Sequence, residues 1–578
     1  MAKIKASHAM MDVFIKWGIQ HVYGLPGDSV DTTIDALNVY KKKIKFIQVR
    51  HEEVASLAAA AEAKLTGKIG VCATIGGPGA IHLLNGLYDA KMDHVPVLAI
   101  LGQVNSKLLN TGYFQEVNTP ALCEDVAVYN RLVESPESLP LLVDEAIRAA
   151  YRYRGVAVLT IPDDMAEKEI TDTYHNITGI DNIVSKPAID EQKMQDAIQL
   201  LKNSQRPIVL SGMGCKGLTS ELTQFIEANH LPIVQTMPSK GVVADLHANS
   251  LGNVGKLGTK PAYEAMKAAD LLIMIGTDYP YRPYLPDESK AKCIQVDIDP
   301  VNFGKRFPVT VGIHADAADF LTYMNAKGTI YEDDRFLKSC QEAMTSWRNW
   351  MNDMKEERGS VIHPPFLMKQ IESIANDDAI YSIDVGTATS WGARYIDVKS
   401  TQSYIISAWL GTMGCALPGA IGGKLAYPDR QLFSIAGDGA FAMVMQDFVT
   451  AVKYKLPFVQ FVLNNQKLAF IQYEQQSAGQ RNYEIDLHDI DYAKFADACG
   501  GKGYTVCTPE ALEALMPQLR HVTGPVLVNV YVEDDAPLPG KIVWSEAEGY
   551  AKFIWETVKE DHKIPKLPPI KETMKHFF

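Results

Sequence analysis

Residues 431–465 read QLFSIAGDGAFAMVMQDFVTAVKYKLPFVQFVLNN. An apolar run, QLFSIA, leads into Gly437-Asp438-Gly439, a segment around QDFVTAVKY has helical spacing, and a second apolar run, PFVQFVL, ends at Asn464-Asn465. Strand, helix and strand in that order make a βαβ unit, whose right-handed crossover sets the carboxyl ends of two parallel strands side by side. Asp438 and Asn465 are 27 positions apart, yet in such a unit their oxygens can face one point. A hard divalent cation prefers oxygen ligands, and Mg²⁺ takes one or two from protein carboxylates while phosphates and water complete its octahedron. Asp438 and Asn465 are therefore the expected tether of a metal-bound diphosphate. Gly437 and Gly439 would let the backbone come close to the anion and aim N–H groups of the following helix at it. A GDG by itself is more often a strand-to-helix turn with a capping Asp, so its surroundings decide.

Working outward, AIYSIDVG, SYIISAWLG and PVLVNVYV flank this unit and extend the alternation of strand and helix over 360–535. A second alternating series, RPIVLSGMG, LPIVQT, DLLIMIGTD and KCIQVDIDP, occupies 190–345, and a third, from YGLPGDS and KFIQVRHEE to VPVLAILGQ and GVAVLTIP, occupies 1–180. Such alternation predicts an α/β protein of three successive parallel-sheet domains without a fixed-period repeat. The polar stretch at 172–190 separates the first two domains, the charged, Trp-containing segment CQEAMTSWRNWMNDMKEERG at 340–359 is expected to be a connector, and 536–578 is expected to be a helical tail.

The chain has 578 residues, 47% of them apolar and 22% charged, with a net charge of −13 and no long Lys/Arg block. That composition suits several buried cores and disfavours nucleic acid as a partner. The eight cysteines contain no Cys-x-x-Cys pair, which reads as reduced structural cysteines of a cytoplasmic protein and not as a zinc or redox dithiol site. The amino end lacks the apolar core of a signal peptide. The runs VPVLAIL and LLIMIG fall far short of the ~20 residues that span a bilayer and fit buried strands.

The whole string, GDG with Asn-Asn 24 residues on between two strands, resembles the cofactor fingerprint of the thiamine diphosphate-dependent enzymes. Val49-Arg50-His51-Glu52-Glu53 at the end of a first-domain strand, GGPGAIHLLNGLYDA at 76–90 and GTMGCALPGA at 411–420 extend the resemblance, and the order of domains is similar to that of the pyruvate oxidase family over nearly the whole chain. The resemblance implies a pyrimidine-binding first domain, a flavin-binding central domain and a diphosphate-binding third domain. Glu52 would be the acid that engages the cofactor pyrimidine and switches on its carbanion. Met413 would wedge beneath the bent cofactor and the Gly411 carbonyl would hold its amino group, with Asn85 as a further cofactor contact and Lys467 as a third metal residue. The pyrimidine would sit on one subunit and the diphosphate on another, so a homodimer is the least assembly, and the family resemblance implies a homotetramer.

In the central domain, SGMGCKG, GKLGTKPAYE, GTDYP, DIDP and HADA resemble the FAD-binding segments of pyruvate oxidases. Gly212, Gly214 and Gly276 would admit close backbone approach, Lys256 or Lys260 would neutralise diphosphate charge, and Asp297 or Asp316 would accept ribose or adenine hydrogen bonds. Acetolactate synthases also hold a flavin there without net oxidation, so an acetolactate-type carboligase is a competing expectation. FQEVN at 114–118 and LAFIQYEQQ at 468–476 match active-site segments of the oxidases, which implies catalytic positions for Phe114, Gln115, Phe470 and Glu474. Phe470 would pack between the two cofactors, and Glu474 would move a proton or orient pyruvate.

Oxidases that use phosphate carry small residues in the loop where this chain has Asp28-Ser29. Two like charges about 4 Å apart repel by roughly 4 kcal/mol at an effective dielectric of ~20, so an ionised Asp28 should discourage phosphate and favour water. The expected reaction is then oxidation of pyruvate to acetate and CO₂ with electrons passed through FAD to a quinone; the alternative is the phosphate- and O₂-dependent reaction giving acetyl phosphate and H₂O₂. Ser545-x-x-Glu548 is expected to cap a tail helix presenting Tyr550, Ile554 and Val558 on one face, followed by the basic, aromatic KETMKHFF, a candidate peripheral contact with the inner face of the membrane.

Overall fold

A computed structural model describes residues 3–171, 186–534, 537 and 544–561. Three six-stranded sheets follow one another along the chain, and every strand pairing within them is parallel. The apolar runs explain why. Val97–Gln103, Leu271–Ile275 and five of the six residues of Leu432–Gly437 are buried, as expected of strands covered by helices on both faces. Both short apolar runs that could have been mistaken for membrane segments are central strands, and among the described residues no helix is long and apolar enough to cross a membrane.

The first sheet has the order Lys45–Gln48, His21–Gly24, Gly70–Thr74, Val97–Gln103, Val156–Pro162, Ala127–Leu132. The third repeats that arrangement: Ser403–Ile405, Ile380–Ile383, Leu432–Gly437, Val459–Asn464, Val526–Tyr531, Lys502–Val506. The central sheet differs, running Ser250–Asn253, Ile233–Gln235, Pro207–Ser211, Leu271–Ile275, Lys292–Asp297, Val311–His314, which is the 3-2-1-4-5-6 order of dinucleotide-binding folds. In each sheet a crevice opens beyond the strand tips where the chain order reverses. These crevices lie between His21–Gly24 and Gly70–Thr74, between Pro207–Ser211 and Leu271–Ile275, and between Ile380–Ile383 and Leu432–Gly437.

Helices tie the sheets together. Glu52–Thr66 and Pro78–Met92 pack on each other, and Glu52–Thr66 also packs on Ala416–Ala426 of the third domain. Small residues permit the approach: a Cβ on Gly422 would stand 2.4 Å from the Ala58 carbonyl oxygen. The segment expected to be a connector is a core element instead. Helix Arg335–Glu356 crosses the expected boundary at 345 and buries Cys340, Met344, Trp347, Trp350 and Met351 in a cluster shared by the central and third domains. Its charges are spaced so that the apolar residues form one stripe, and that stripe is decisive.

The tail helix is described over Trp544–Asp561, so Ser545 lies within it and not before it. It packs on helix Ala469–Ser477, burying Phe553 while Val558 stays 41% exposed. The expected stripe of Tyr550, Ile554 and Val558 is thus not the most deeply buried face. KETMKHFF and most of the 172–190 stretch lie outside the described residues.

Candidate active site

At the third sheet the backbone register Gly437↔Leu463 aligns the tips of Leu432–Gly437 and Val459–Asn464, and the side chains beyond them converge. Asp438 opens helix Asp438–Val444 and is 4% exposed. Its carboxylate accepts from the Gly439 N–H at 2.9 Å and from the Gln466 N–H at 2.7 Å. Burial pushes its pKa up to about 6, against the pull of these backbone donors. A cation bound beside it would offset that cost of burial. The Asn465 amide oxygen accepts from the Lys467 N–H at 3.2 Å, in a turn where Gln466 takes a φ of +57°. Asn464 turns the other way, donating to Asp489 at 3.0 Å and Asn529 at 3.2 Å, so one asparagine of the pair faces the crevice and the other anchors the strand. The Lys467 ammonium pairs with Asp534 at 2.8 Å and cannot ligate a metal; its carbonyl oxygen is the only ligand it can offer.

The two glycines have different reasons. A Cβ on Gly437 would meet nothing within 4 Å, so open space lies over the turn, whereas one on Gly439 would press on Leu468 at 2.9 Å and Leu487 at 3.0 Å. Met413 reaches the same turn, its Cε being 3.7 Å from where that Cβ would stand. Sequence reasoning missed what holds Met413 in place. Asp384, at the tip of Ile380–Ile383, accepts from the N–H groups of Val385 at 2.9 Å, Gly414 at 2.8 Å and Ala416 at 3.0 Å. Burial pushes it up to about 6. Its signal was an Asp just past an apolar strand.

A cavity of about 700 Å³ begins at Gly437, Asp438, Gly439 and Asn465, passes Gly411, Met413, Phe470 and Glu474, and ends in the central crevice at Gly276 and Tyr281. Lys256 reaches across it, 3.0 Å from a Glu474 oxygen and 4.9 Å from the centre of the Phe470 ring. Tyr279 also lines the cavity, and its buried hydroxyl has no hydrogen-bond partner among the described residues. Neither Tyr279 nor Asp278, another wall residue, stood out in the sequence.

Other expected central-domain residues stand outside the wall. Gly214 donates to the Gly276 carbonyl at 3.0 Å, and a Cβ on Gly214 would come within 2.7 Å of the Gly276 Cα. A Cβ on Gly212 would meet Thr277 at 2.3 Å. These glycines serve the crossing of two chain segments. Lys260 pairs with Glu264 at 2.9 Å. Asp297 is buried, accepts from Asp299 N–H and Asn302, and is raised by that burial. Asp316 caps helix Ala317–Asn325 through the Ala318 N–H at 2.9 Å.

The first-domain residues gather at a separate tip. Glu52 opens its helix at 5% exposure, with one carboxylate oxygen 2.9 Å from His82 Nδ1 and the other 3.4 Å from the Thr74 hydroxyl. His51 stacks on His82 with ring centroids 4.5 Å apart and planes 28° from parallel. Imidazole lone pairs lie in the ring plane, so near-parallel rings do not aim at a common metal ion, although His51, Glu52 and His82 form a compact group. Phe114 is 73% exposed, and Gln115 has a φ of +60°. Asn85 bridges Glu53 at 2.6 Å and Thr412 at 2.9 Å. Among the described first-domain residues only His94 lines the cavity; Glu52, Phe114 and Gln115 of the same chain do not.

The donor set fits a magnesium-bound diphosphate: a buried carboxylate and an amide oxygen lining one cavity, with open space over Gly437. The central arm fits a large planar cofactor, with an unpaired phenol in its wall.

Three models of the thiamine pyrophosphate enzymes match the chain: the N-terminal TPP binding domain over residues 4–122, the central domain over 194–324 and the C-terminal TPP binding domain over 384–530. Among similar proteins is YdaP of Bacillus subtilis, named for thiamine pyrophosphate and for no activity, at 47% identity over the full length of both chains. A pyruvate oxidase of Lactiplantibacillus plantarum is 36% identical over 99% of this chain and 96% of its own. The large subunit of acetolactate synthase isozyme 2 of Escherichia coli is 31% identical over 89% of this chain and 93% of its own.

Proposed function

Starting from a chain that belongs to the thiamine pyrophosphate enzymes, in the pyruvate oxidase-like family, we propose that it oxidises pyruvate with water to acetate and CO₂ and passes two electrons through FAD to a quinone. The observation that carries this reading is the continuous cavity from Asp438 and Asn465 to the central crevice at Gly276 and Tyr281, which gives two cofactors one shared space. When bound, thiamine diphosphate supplies the nucleophilic carbon and electron sink for decarboxylation, and the flavin accepts the electron pair.

The chain's own residues have definable tasks. Asp438, Asn465 and the Lys467 carbonyl would hold Mg²⁺ and through it the diphosphate. Met413 and the Gly411 carbonyl would impose the bend. Glu52, contributed by a second subunit, would share a proton with the pyrimidine, its burial favouring such sharing over full solvation. Phe470 stands at the junction of the two arms, and Glu474, now paired with Lys256, would orient the anionic substrate or move a proton. Gly276 and Tyr279 would contact the flavin.

Asp28 supports water over phosphate as acetyl acceptor. It is exposed at the first-domain tip, and its field adds to that of Asp163. Acetolactate synthase-like relatives favour one competing reading, carboligation. Anaerobic titration with pyruvate separates them: our reading expects flavin bleaching at about 450 nm and acetate as product. Acetolactate with oxidised flavin would sink it, and phosphate-dependent acetyl phosphate with peroxide would replace the quinone branch.

A further inference from the structure

Residues 406–416 carry both Gly411 and Met413, and the chain grips this segment at two ends. One end belongs to its own domain, where Asp384 binds the N–H groups of Gly414 and Ala416. The other end is held by charges from the first domain. Lys64 places its ammonium 2.6 Å from Asp89 and 2.6 Å from Asp93 with all three side chains at most 7% exposed. It also donates to the Ile406 carbonyl at 3.1 Å. Asp93 accepts from the N–H of Ala408 at 3.3 Å and of Trp409 at 3.1 Å. Ser407 links this segment onward, because its hydroxyl lies close enough to Asp89 to lower its pKa and accepts from the Thr412 N–H at 3.1 Å.

We propose that Lys64, Asp89 and Asp93 form a buried clamp by which the first domain sets the conformation of residues 406–413, making Asp93 a positioning residue for the cofactor wedge. The proposal rests on the assignment of Met413 and Gly411 to thiamine diphosphate.

Several observations make the clamp more than a packing accident. Three charged side chains are buried together, with the Lys216 ammonium of the central domain also within electrostatic reach of Lys64 and Asp93, and burying such a group is costly unless hydrogen-bond partners complete it. For Asp93 those partners include the cavity-lining backbone N–H groups of Ala408 and Trp409. Burial opposes the charge on Lys64, but Asp89 and Asp93 outweigh it and hold its pKa above the ordinary lysine value. Gly411 has a φ of +69°, a left-handed conformation that glycine adopts without strain. Arg306 of the central domain lies 5.8 Å over the Trp409 ring, so all three domains meet on this segment.

A second group of one lysine and two carboxylates, Lys355 with half-buried Glu372 at 2.8 Å and Asp397 at 2.9 Å, lies outside that cavity wall, and it serves as control. The experiment titrates thiamine diphosphate with Mg²⁺ into the purified full-length protein and its variants, following Trp409 fluorescence and measuring kcat and the cofactor Kd separately. Asp93→Asn is expected to weaken the cofactor at least tenfold and to shift the emission of the cofactor-free protein. Lys355→Met should lower the melting temperature and leave Kd and emission unchanged. Ser407→Ala removes the link to Thr412 without burying an unpaired charge; it should weaken the cofactor three- to tenfold even if Asp93→Asn fails to fold. Wild-type affinity in Ser407→Ala together with either wild-type affinity or an equal loss in Asp93→Asn and Lys355→Met would overturn the clamp. Failure of the wild-type protein to bind thiamine diphosphate would instead overturn the functional reading beneath it.

Discussion

Asp438 shows how one residue can be at once a liability and a ligand. Its pKa of about 6 arises from burial, so the folded, metal-free chain holds a proton that the unfolded chain releases near the ordinary Asp value. A raised carboxyl pKa contributes stability that is fully present below about 3.9 and lost as pH rises through 6. Asp438→Asn should therefore be more stable than the metal-free parent at pH 7, by on the order of 2 kcal/mol, and lose that advantage by pH 4; thermal melts of the pair at both values check the sign. The same substitution should weaken Mg²⁺-dependent thiamine diphosphate binding by roughly 100-fold or more, with parental affinity falling as pH drops below 6 because the ligand must be deprotonated. Calorimetric titration at pH 5 and pH 7 measures both effects. At Asp28 the expectation concerns the acceptor: Asp28→Gly should raise the phosphate-dependent share of turnover, and unchanged phosphate use would remove its charge from the argument.

Among the elements, helix Arg335–Glu356 is the one whose charge pattern misled. Its sequence looks like a solvated linker, yet Trp347 and Trp350 are each 5% exposed and their rings meet edge to face with centroids 5.3 Å apart. Trp347→Ala should cost about 3–5 kcal/mol, seen as a lower denaturant midpoint with little change in cofactor affinity. The crossovers around Gly437 were easier to read, because a parallel strand buried on both faces leaves an unbroken apolar run whose end is marked by its turn residues. The glycines were harder. Gly212 and Gly214 have the G-x-G spacing that suggests a cofactor loop, but both are taken up by the three-dimensional crossing, Gly212 against Thr277 and Gly214 against Gly276.

At the scale of the molecule, the decisive fact is that Glu52 and Asp438 stand at tips that one chain keeps apart. If the site is completed between subunits, mixed oligomers of Glu52→Gln and Asp438→Asn chains contain some sites with neither lesion. Refolding the two inactive variants together should then restore about a quarter of the parental turnover, as random pairing in a two-fold dimer requires. No recovery on mixing would place the site within one chain.

The α/β class, the three-sheet succession and the pairing of Asp438 with Asn465 followed from local pattern: strand periodicity and turn chemistry act over a few residues, and a crossover of fixed hand does the rest. Which glycines border open space, the burial of Arg335–Glu356, the Asp384 and Lys64 networks and the joining of two crevices into one cavity were decided only by tertiary structure. Each depends on atoms from residues that are distant in sequence or on which way a side chain turns, and the energy of a buried charge is set by the neighbours that complete it.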